Sequence, residues 1–278
     1  MSSMLRPARY CHRAALCLLA SLSTLSIQSQ AGLLADSTRV IYPAHAREKS
    51  MILANTNTYP VINQVWVDDG SNQIEFTDSP FVVLPAVFKM APRDIKALRI
   101  LYNGLPMPQD RESVYWLNLY EIPALSSDQL HNNHLNMAMN TQIKIFYRPT
   151  ALTPMSIKAI AAGLEFQCRS ESGLNTAQSA PQVQHPTLMI RVRNPTPYHV
   201  TFLSLSAASS VPTQLDQMQY RKLYSANQMQ NMIAPFSHAE FMLQQADVNL
   251  QPVPKLRFSL IDDDGKSQDF ERTCQSAS

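Results

Sequence analysis

The sequence predicts an all-β protein built from two antiparallel β-sandwiches. Short runs rich in Val, Ile, Leu, Tyr and Thr recur along the chain, and clusters of Asn, Asp, Ser, Gly and Pro separate them. Six glycines stand against 19 prolines, which argues for extended segments and against Gly-rich phosphate loops. Helical periodicity is weak throughout the first half of the chain. Because 278 residues suffice for two cores of ordinary size, we expect two domains.

Residues 1–31 have the layout of a secretory signal. Three arginines and no acid precede the apolar run "AALCLLASLSTLSI", and small residues follow it. The run is shorter than the ~20 residues that a membrane span needs. We therefore favour cleavage after Ala31 over a membrane anchor, with cleavage after Ala35 as the weaker alternative. Removing this segment lowers Lys+Arg from 23 to 20 against 21 acids, a balance that does not indicate nucleic-acid binding.

Two cysteines remain once the signal is removed. Cys168 and Cys274 would lie in a compartment that permits disulfides, so we expect one bond between them. Two separate buried thiols are the alternative.

The first domain should span residues 32–149. Its predicted strands are "TRVIYP", "SMILANTN", "VINQVWVDD", "FVVLP", "KALRILYN", "SVYWLNLYEIP" and "LNMAMNTQIKIFYRP". The last run alternates from residue 134 to residue 150, which predicts a strand more than twice the usual length of about 5–6 residues. One face of it is apolar, with Leu135, Met137, Met139, Ile143, Ile145 and Tyr147. If this strand lies at a sheet edge, its lack of charge before residue 143 leaves it open to pairing with a partner.

The second domain should span residues 150–278. The prolines of "RPTALTP" end the long strand, since proline cannot donate to a β-ladder. A short helical turn in "MSIKAIAAGLEF" and a second, shorter set of strands follow, and "DDDG" at 262–265 predicts a hairpin turn. The polar segment 170–186 lacks periodicity and is interpreted as a mobile surface loop.

The sequence lacks the patterns of common enzymes. It contains no nucleophile elbow, phosphate loop, HExxH or CxxC pair, so we predict no catalysis and no cofactor. His131 and His134 have no cysteine or acidic pair nearby to complete a metal site, which favours a solvated turn.

Arg39 and Lys144 are the notable charges, because each lies inside an apolar β-rich run. A solvent-facing position is the ordinary alternative. Lys144, however, has large apolar neighbours and lies where its strand approaches the domain boundary. A cation that is partly removed from water there requires an anion partner.

Five segments in this order, "TRVIYP", "PQDRESVYWLNLYEIP", "QIKIFYRP", "RVRNPTPYHVT" and "IDDDG", resemble the periplasmic PapD-like chaperones of the chaperone–usher pilus pathway. The resemblance covers nearly the whole mature chain. It implies two immunoglobulin-like domains in an L or boomerang arrangement and a non-enzymatic periplasmic chaperone. Its partners would be pilin subunits and an outer-membrane usher. The short "ALSSDQLHNNH" connection is similar to the short-loop branch of the family.

The resemblance also assigns roles to residues. Arg39 and Lys144 would hold the C-terminal carboxylate of a pilin subunit. The strand lent to the subunit would present Leu135, Met137 and Met139. An ion network between the domains would join Glu112, Arg148 and Asp263, with Asp262 and Asp264 as alternatives to the last. The competing hypothesis is a secreted β-sandwich subunit or adhesin that polymerises through the same strand, and an exposed apolar edge also allows the free chaperone to self-associate.

Overall fold

The computed structural model describes residues 32–74, 76–124, 137–171, 187–208, 231–244 and 255–276. The predicted signal segment, the two histidines of "HNNH" and Leu135 lie outside the described residues. Among those described, no helix has the length and hydropathy needed to cross a membrane.

In the described part of the first β-sandwich there are nine strands. They are β1 Leu33–Ala35, β2 Arg39–Pro43, β3 Glu48–Asn55, β4 Val61–Asp68, β5 Phe81–Leu84, β6 Val87–Met90, β7 Ile95–Tyr102, β8 Ser113–Pro123 and β9 Met139–Arg148. One sheet has the order β1-β3-β7-β5 and the other β2-β9-β8-β4-β6. All pairs are antiparallel except β2 with β9, which run parallel.

Period-two alternation builds the core of this sandwich. Along β4, residues 61, 63, 65 and 67 are buried while residues 62, 64 and 66 between them are more exposed, as expected for a strand with one face inward. The side chains of Tyr42, Leu53 and Ile145 are fully buried. Tyr42 packs edge-on against Phe81, with ring centroids 5.1 Å apart.

The second β-sandwich follows a short helix, α1, at Ile157–Gly163. The Ser156 hydroxyl caps this helix by accepting a hydrogen bond from the Ala159 amide. The strands are β10 Glu165–Glu171, β11 Thr187–Asn194, β12 Val200–Ala208, β13 Met232–Ile233, β14 Ser237–Gln244, β15 Lys255–Ile261, β16 Ser267–Thr273 and β17 Gln275–Ser276. They form sheets of order β14-β11-β10-β17 and β13-β12-β15-β16.

A separate core and one disulfide hold this second sandwich together. Phe166 and Phe258 pack with ring centroids 4.9 Å apart, and Phe202 lies 5.7 Å from Phe258. Cys168 and Cys274 form a disulfide with a Cα–Cα distance of 5.8 Å. The bond links Cys274, just before β17, to Cys168 on β10, and β17 pairs with β10 in parallel.

The structure departs from the predicted strands in several places. β9 begins at Met139, so Met137 lies outside it, and the prediction of a strand through residue 137 is wrong. The register Glu121↔Met139 would place Pro123 opposite residue 137, and proline has no amide proton to extend the ladder. β1 and β6 were not predicted; they have three and four residues, and they pair with β3 and β4, respectively. Residues 170 and 171 extend β10, and the remainder of the predicted 170–186 loop lies outside the described residues.

Candidate functional site

Arg39 and Lys144 lie side by side at the boundary between the two sandwiches. The parallel register of β2 and β9 pairs Arg39 directly with Lys144. The Arg39 Nη1 donates a hydrogen bond to the Ile261 carbonyl of the second sandwich at 3.3 Å. Its guanidinium also lies over the Phe146 ring, 5.6 Å from the centroid. The pair is therefore fixed where the two sandwiches meet.

The electrostatics of this pair favour an anion. Burial lowers the pKa of Lys144, and the neighbouring Arg39 charge lowers it further. Burial also lowers the pKa of Arg39, against the opposing effect of Asp263, Asp262 and Glu112. The buried Arg39 Nε has no hydrogen-bond partner among the described residues, and neither does the Lys144 ammonium. Two partly desolvated cations with no hydrogen-bonded carboxylate among the described residues are chemically suited to an anion.

An unpaired strand edge leads to this site. β9 pairs with β8 from Met139 to Tyr147, but β2 covers its other edge only from Lys144 onward. No described strand pairs with that edge over residues 139–143. Met139 is 58 % exposed and Met137 is 70 % exposed, so both thioether side chains face solvent. The free edge thus combines open backbone groups with adaptable apolar side chains.

Arg148, at the end of β9, joins the two sandwiches. Its Nε donates to Glu112 Oε1 at 2.8 Å, and its two terminal nitrogens donate to Asp263 Oδ2 and Oδ1 at 2.5 and 2.6 Å. Burial alone would lower the pKa of Arg148, but the hydrogen bonds and charges of both carboxylates raise it instead. The guanidinium also lies 5.1 Å from the centre of the Tyr198 ring. Of the three aspartates in "DDDG", the structure places Asp263 against Arg148.

Glu112 is buried beneath this network, with only 2 % of its side chain exposed. Its Oε2 accepts hydrogen bonds from the His199 amide at 2.8 Å and lies 2.9 Å from His199 Nδ1. Its own amide donates to the Pro197 carbonyl at 2.9 Å. One carboxylate from the first sandwich is therefore held by both the backbone and a side chain of the second.

Sequence reasoning missed His199. The residue stands in "RVRNPTPYHVT", but nothing in its local pattern shows that it faces Glu112, which lies 87 positions earlier. Its ring also packs against Phe146, with centroids 5.7 Å apart. The turn at Asp262–Gly265 was correctly predicted as a hairpin turn, closed by the Asp262 amide on the Lys266 carbonyl.

The described residues also bear on metal binding. Within them, no group of three or more His, Cys, Asp or Glu side chains is arranged to hold a metal ion. The site is a pair of cations next to an open strand edge, a geometry suited to holding the end of an extended peptide.

Comparison with known proteins identifies the family. The family model described as "Pili and flagellar-assembly chaperone, PapD N-terminal domain" matches residues 32–153. The model described as "Pili assembly chaperone PapD, C-terminal domain" matches residues 179–272. This chain belongs to the PapD-like family of pilus-assembly chaperones.

Individual relatives agree with this assignment. The chaperone protein FimB/FhaD of Bordetella pertussis is 31% identical over 197 residues, which cover 69% of this chain and 74% of the relative. The chaperone protein FimC of Escherichia coli K12 is 34% identical over 188 residues, or 66% of this chain and 68% of FimC. Among solved structures, the CupB2 chaperone of Pseudomonas aeruginosa is 29% identical with a TM-score of 0.63, and the match covers 87% of this chain and 100% of CupB2. These relatives are chaperones, and the two-sandwich fold is shared.

Proposed function

We propose that this PapD-like chaperone caps a pilin subunit by lending it the edge of β9 while Arg39 and Lys144 hold the subunit's C-terminal carboxylate. The observation that carries the proposal is that, in the part of the chain that the structure describes, an unpaired strand edge meets two cations that form no ion pair. Backbone pairing would supply affinity, and alternating side chains would supply specificity. Charge-assisted hydrogen bonds to the carboxylate would fix where the subunit ends.

The same geometry supports one direction for the added strand. β2 occupies the edge of β9 beyond Lys144, so an incoming strand must stop there. If its C-terminal carboxylate meets Arg39 and Lys144, the rest of the strand extends back along residues 143 to 139. It then runs in the same direction as β9, parallel to it as β2 is. The subunit strand is thus expected to continue the line of β2.

The cellular setting follows from the predicted signal. We propose that residues 1–31 direct the chain to the periplasm and are removed there, and that the capped subunit is then delivered to an outer-membrane usher. Cleavage after Ala31 leaves β1 complete, whereas cleavage after Ala35 would remove a strand that pairs with β3. Membership of the pilus-assembly chaperones supports the usher as the next partner.

A peptide assay tests the carboxylate site. The probe is a synthetic peptide of the last strand of a pilin encoded beside the chaperone, prepared both as the free acid and as the C-terminal amide. We expect the wild-type chaperone to bind the amide at least about 30-fold more weakly than the free acid, since a desolvated charge pair loses one partner. The Lys144→Ala and Arg39→Ala variants should bind the free acid more weakly than the wild type does by a similar factor. The exposed Lys89→Ala variant is the matched control. Equal affinities for acid and amide would refute the site.

A second experiment tests the strand edge by co-purifying the pilin subunit. Met139→Asp places a charge on the strand edge and should abolish capture without unfolding the chaperone, because the side chain is 58 % exposed. Met242→Asp, at a methionine of the second sandwich that is 62 % exposed, controls for a surface charge as such. Undiminished capture by Met139→Asp would contradict the role of the edge. A self-assembling subunit, the competing hypothesis, would instead polymerise when purified alone, which light scattering would detect.

A further inference from the structure

Glu121 is a buried carboxylate that this function does not use. It lies on β8 and is 6% exposed. Its Oε1 accepts a hydrogen bond from Asn57 Nδ2 at 2.7 Å, and its Oε2 accepts one from the Leu33 amide at 2.9 Å. Among the described residues, no lysine, arginine or histidine forms an ion pair with it. A buried carboxylate held only by neutral donors lacks the countercharge that such groups ordinarily have.

Gly32 lies directly against this carboxylate. Its carbonyl oxygen is fixed by Thr56, which donates from its amide at 3.1 Å and from its hydroxyl at 2.7 Å. A Cβ on residue 32 would lie 2.6 Å from Glu121 Oε2 and 3.0 Å from Oε1. That spacing is too close for a carbon atom. It is, however, close to the distance at which an ammonium nitrogen bonds a carboxylate, about 2.7–2.9 Å.

An ammonium group reaches that position if the chain begins at residue 32. The Gly32 nitrogen and the hypothetical Cβ are both substituents of the same tetrahedral Cα, at bond lengths of about 1.5 Å. Once no residue precedes Gly32, rotation about its Cα–C bond brings the nitrogen to the position that a Cβ would occupy. The fixed carbonyl need not move.

We propose that Gly32 is the mature N-terminus and that its ammonium forms a buried ion pair with Glu121. Hydrolysis of the Ala31–Gly32 bond consumes one water, leaves a carboxylate on Ala31 and gives Gly32 an amine that takes up the released proton. The inference rests on the signal cleavage proposed above. Cleavage would create the countercharge of Glu121, and the resulting ion pair would stabilise the position of β1 in the sandwich. While the signal remains attached, the Gly32 nitrogen is an uncharged amide and the ion pair cannot form.

Two measurements on the secreted protein test the proposal. The intact mass of the periplasmic chain must correspond to a first residue at Gly32. Acetylating that N-terminal amine should then lower the thermal unfolding midpoint by about 3–8 °C in the wild type, and should have no such effect in Glu121→Gln. A mass that places the first residue elsewhere overturns the proposal. So does an equal shift of the unfolding midpoint on acetylation in the wild type and in Glu121→Gln, or no shift in either protein.

A further measurement covers the case in which Glu121→Gln fails to fold. Labelling the wild type with ¹⁵N-glycine makes the terminal amine observable by NMR. Its pKa should lie above the ordinary value of about 7.7–8.0 for an α-amino group, and a pKa at or below that value overturns the ion pair. A different first residue would leave the subunit-binding proposal intact, because that proposal depends on Arg39 and Lys144.

Discussion

Removing the guanidinium of Arg148 should destabilise the protein far more than removing the carboxylate of Asp263, although the two form one ion pair. Glu112 is 2 % exposed, and Arg148 is its only guanidinium donor among the described residues. Without that donor the Glu112 carboxylate stays buried and short of a countercharge, a loss of about 3–5 kcal/mol. Asp263 is 55 % exposed, so water replaces it, and its loss should cost about 1 kcal/mol or less.

Urea unfolding of Arg148→Met, Arg148→Lys and Asp263→Asn measures this asymmetry. Trp66 and Trp116 both lie in the first sandwich, on β4 and β8, so their fluorescence reports that domain while far-UV circular dichroism reports both. The stability loss of Arg148→Lys should lie between those of Arg148→Met and Asp263→Asn, because an ammonium keeps the charge but cannot form the bidentate hydrogen bonds of a guanidinium. Equal losses for the arginine and aspartate variants would show that the burial of Glu112 does not determine the energetics.

Three other variants test neighbouring parts of the structure. His199→Phe keeps the ring but removes the Nδ1 contact to Glu112, and should lower the free energy of unfolding by about 1–3 kcal/mol in urea titrations; an unchanged value would contradict that contact. Replacing Cys168 and Cys274 together by alanine releases a link across 106 residues, and calorimetry should show a loss of about 3–5 kcal/mol; heating the wild type in reductant should reproduce it. Because burial and the adjacent arginine lower the pKa of Lys144, its charged form is disfavoured by the fold, so Lys144→Met should stabilise the free chaperone slightly, by less than ~1 kcal/mol, while subunit binding is lost. A Lys144→Met protein that unfolds more easily would refute this reasoning.

Alternation and motif order predicted much of the fold from the sequence. The runs "VINQVWVDD" and "SVYWLNLYEIP" became β4 and β8, because period-two burial is a local property of the chain. β1 was not predicted, since a strand of three residues carries almost no pattern and exists only through its pairing with β3. The start of β9 was placed too early, because the alternation continues past the point where β8 ends in a proline.

The candidate site, too, was predictable from the sequence only in part. Arg39 and Lys144 were recognisable as cations in apolar runs, and Arg148 and Asp263 as members of shared motifs. Their distances could not be predicted, since the parallel register of β2 with β9 and the contact across the two sandwiches join residues far apart in the chain. His199 and Glu121 had no sequence signal, because a histidine just before a strand or a glutamate inside one is unremarkable until its neighbours are known.

The sequence alone was enough to predict the all-β class, the order of most strands and, through its motifs, the family. Those features are local or linear, so they can be read from residue patterns. Only the tertiary structure showed which charges have no ion-pair partner among the described residues. Burial and countercharge depend on what the rest of the chain brings within a few ångströms, so the environments of Lys144, Arg39 and Glu121 became visible only in the folded protein.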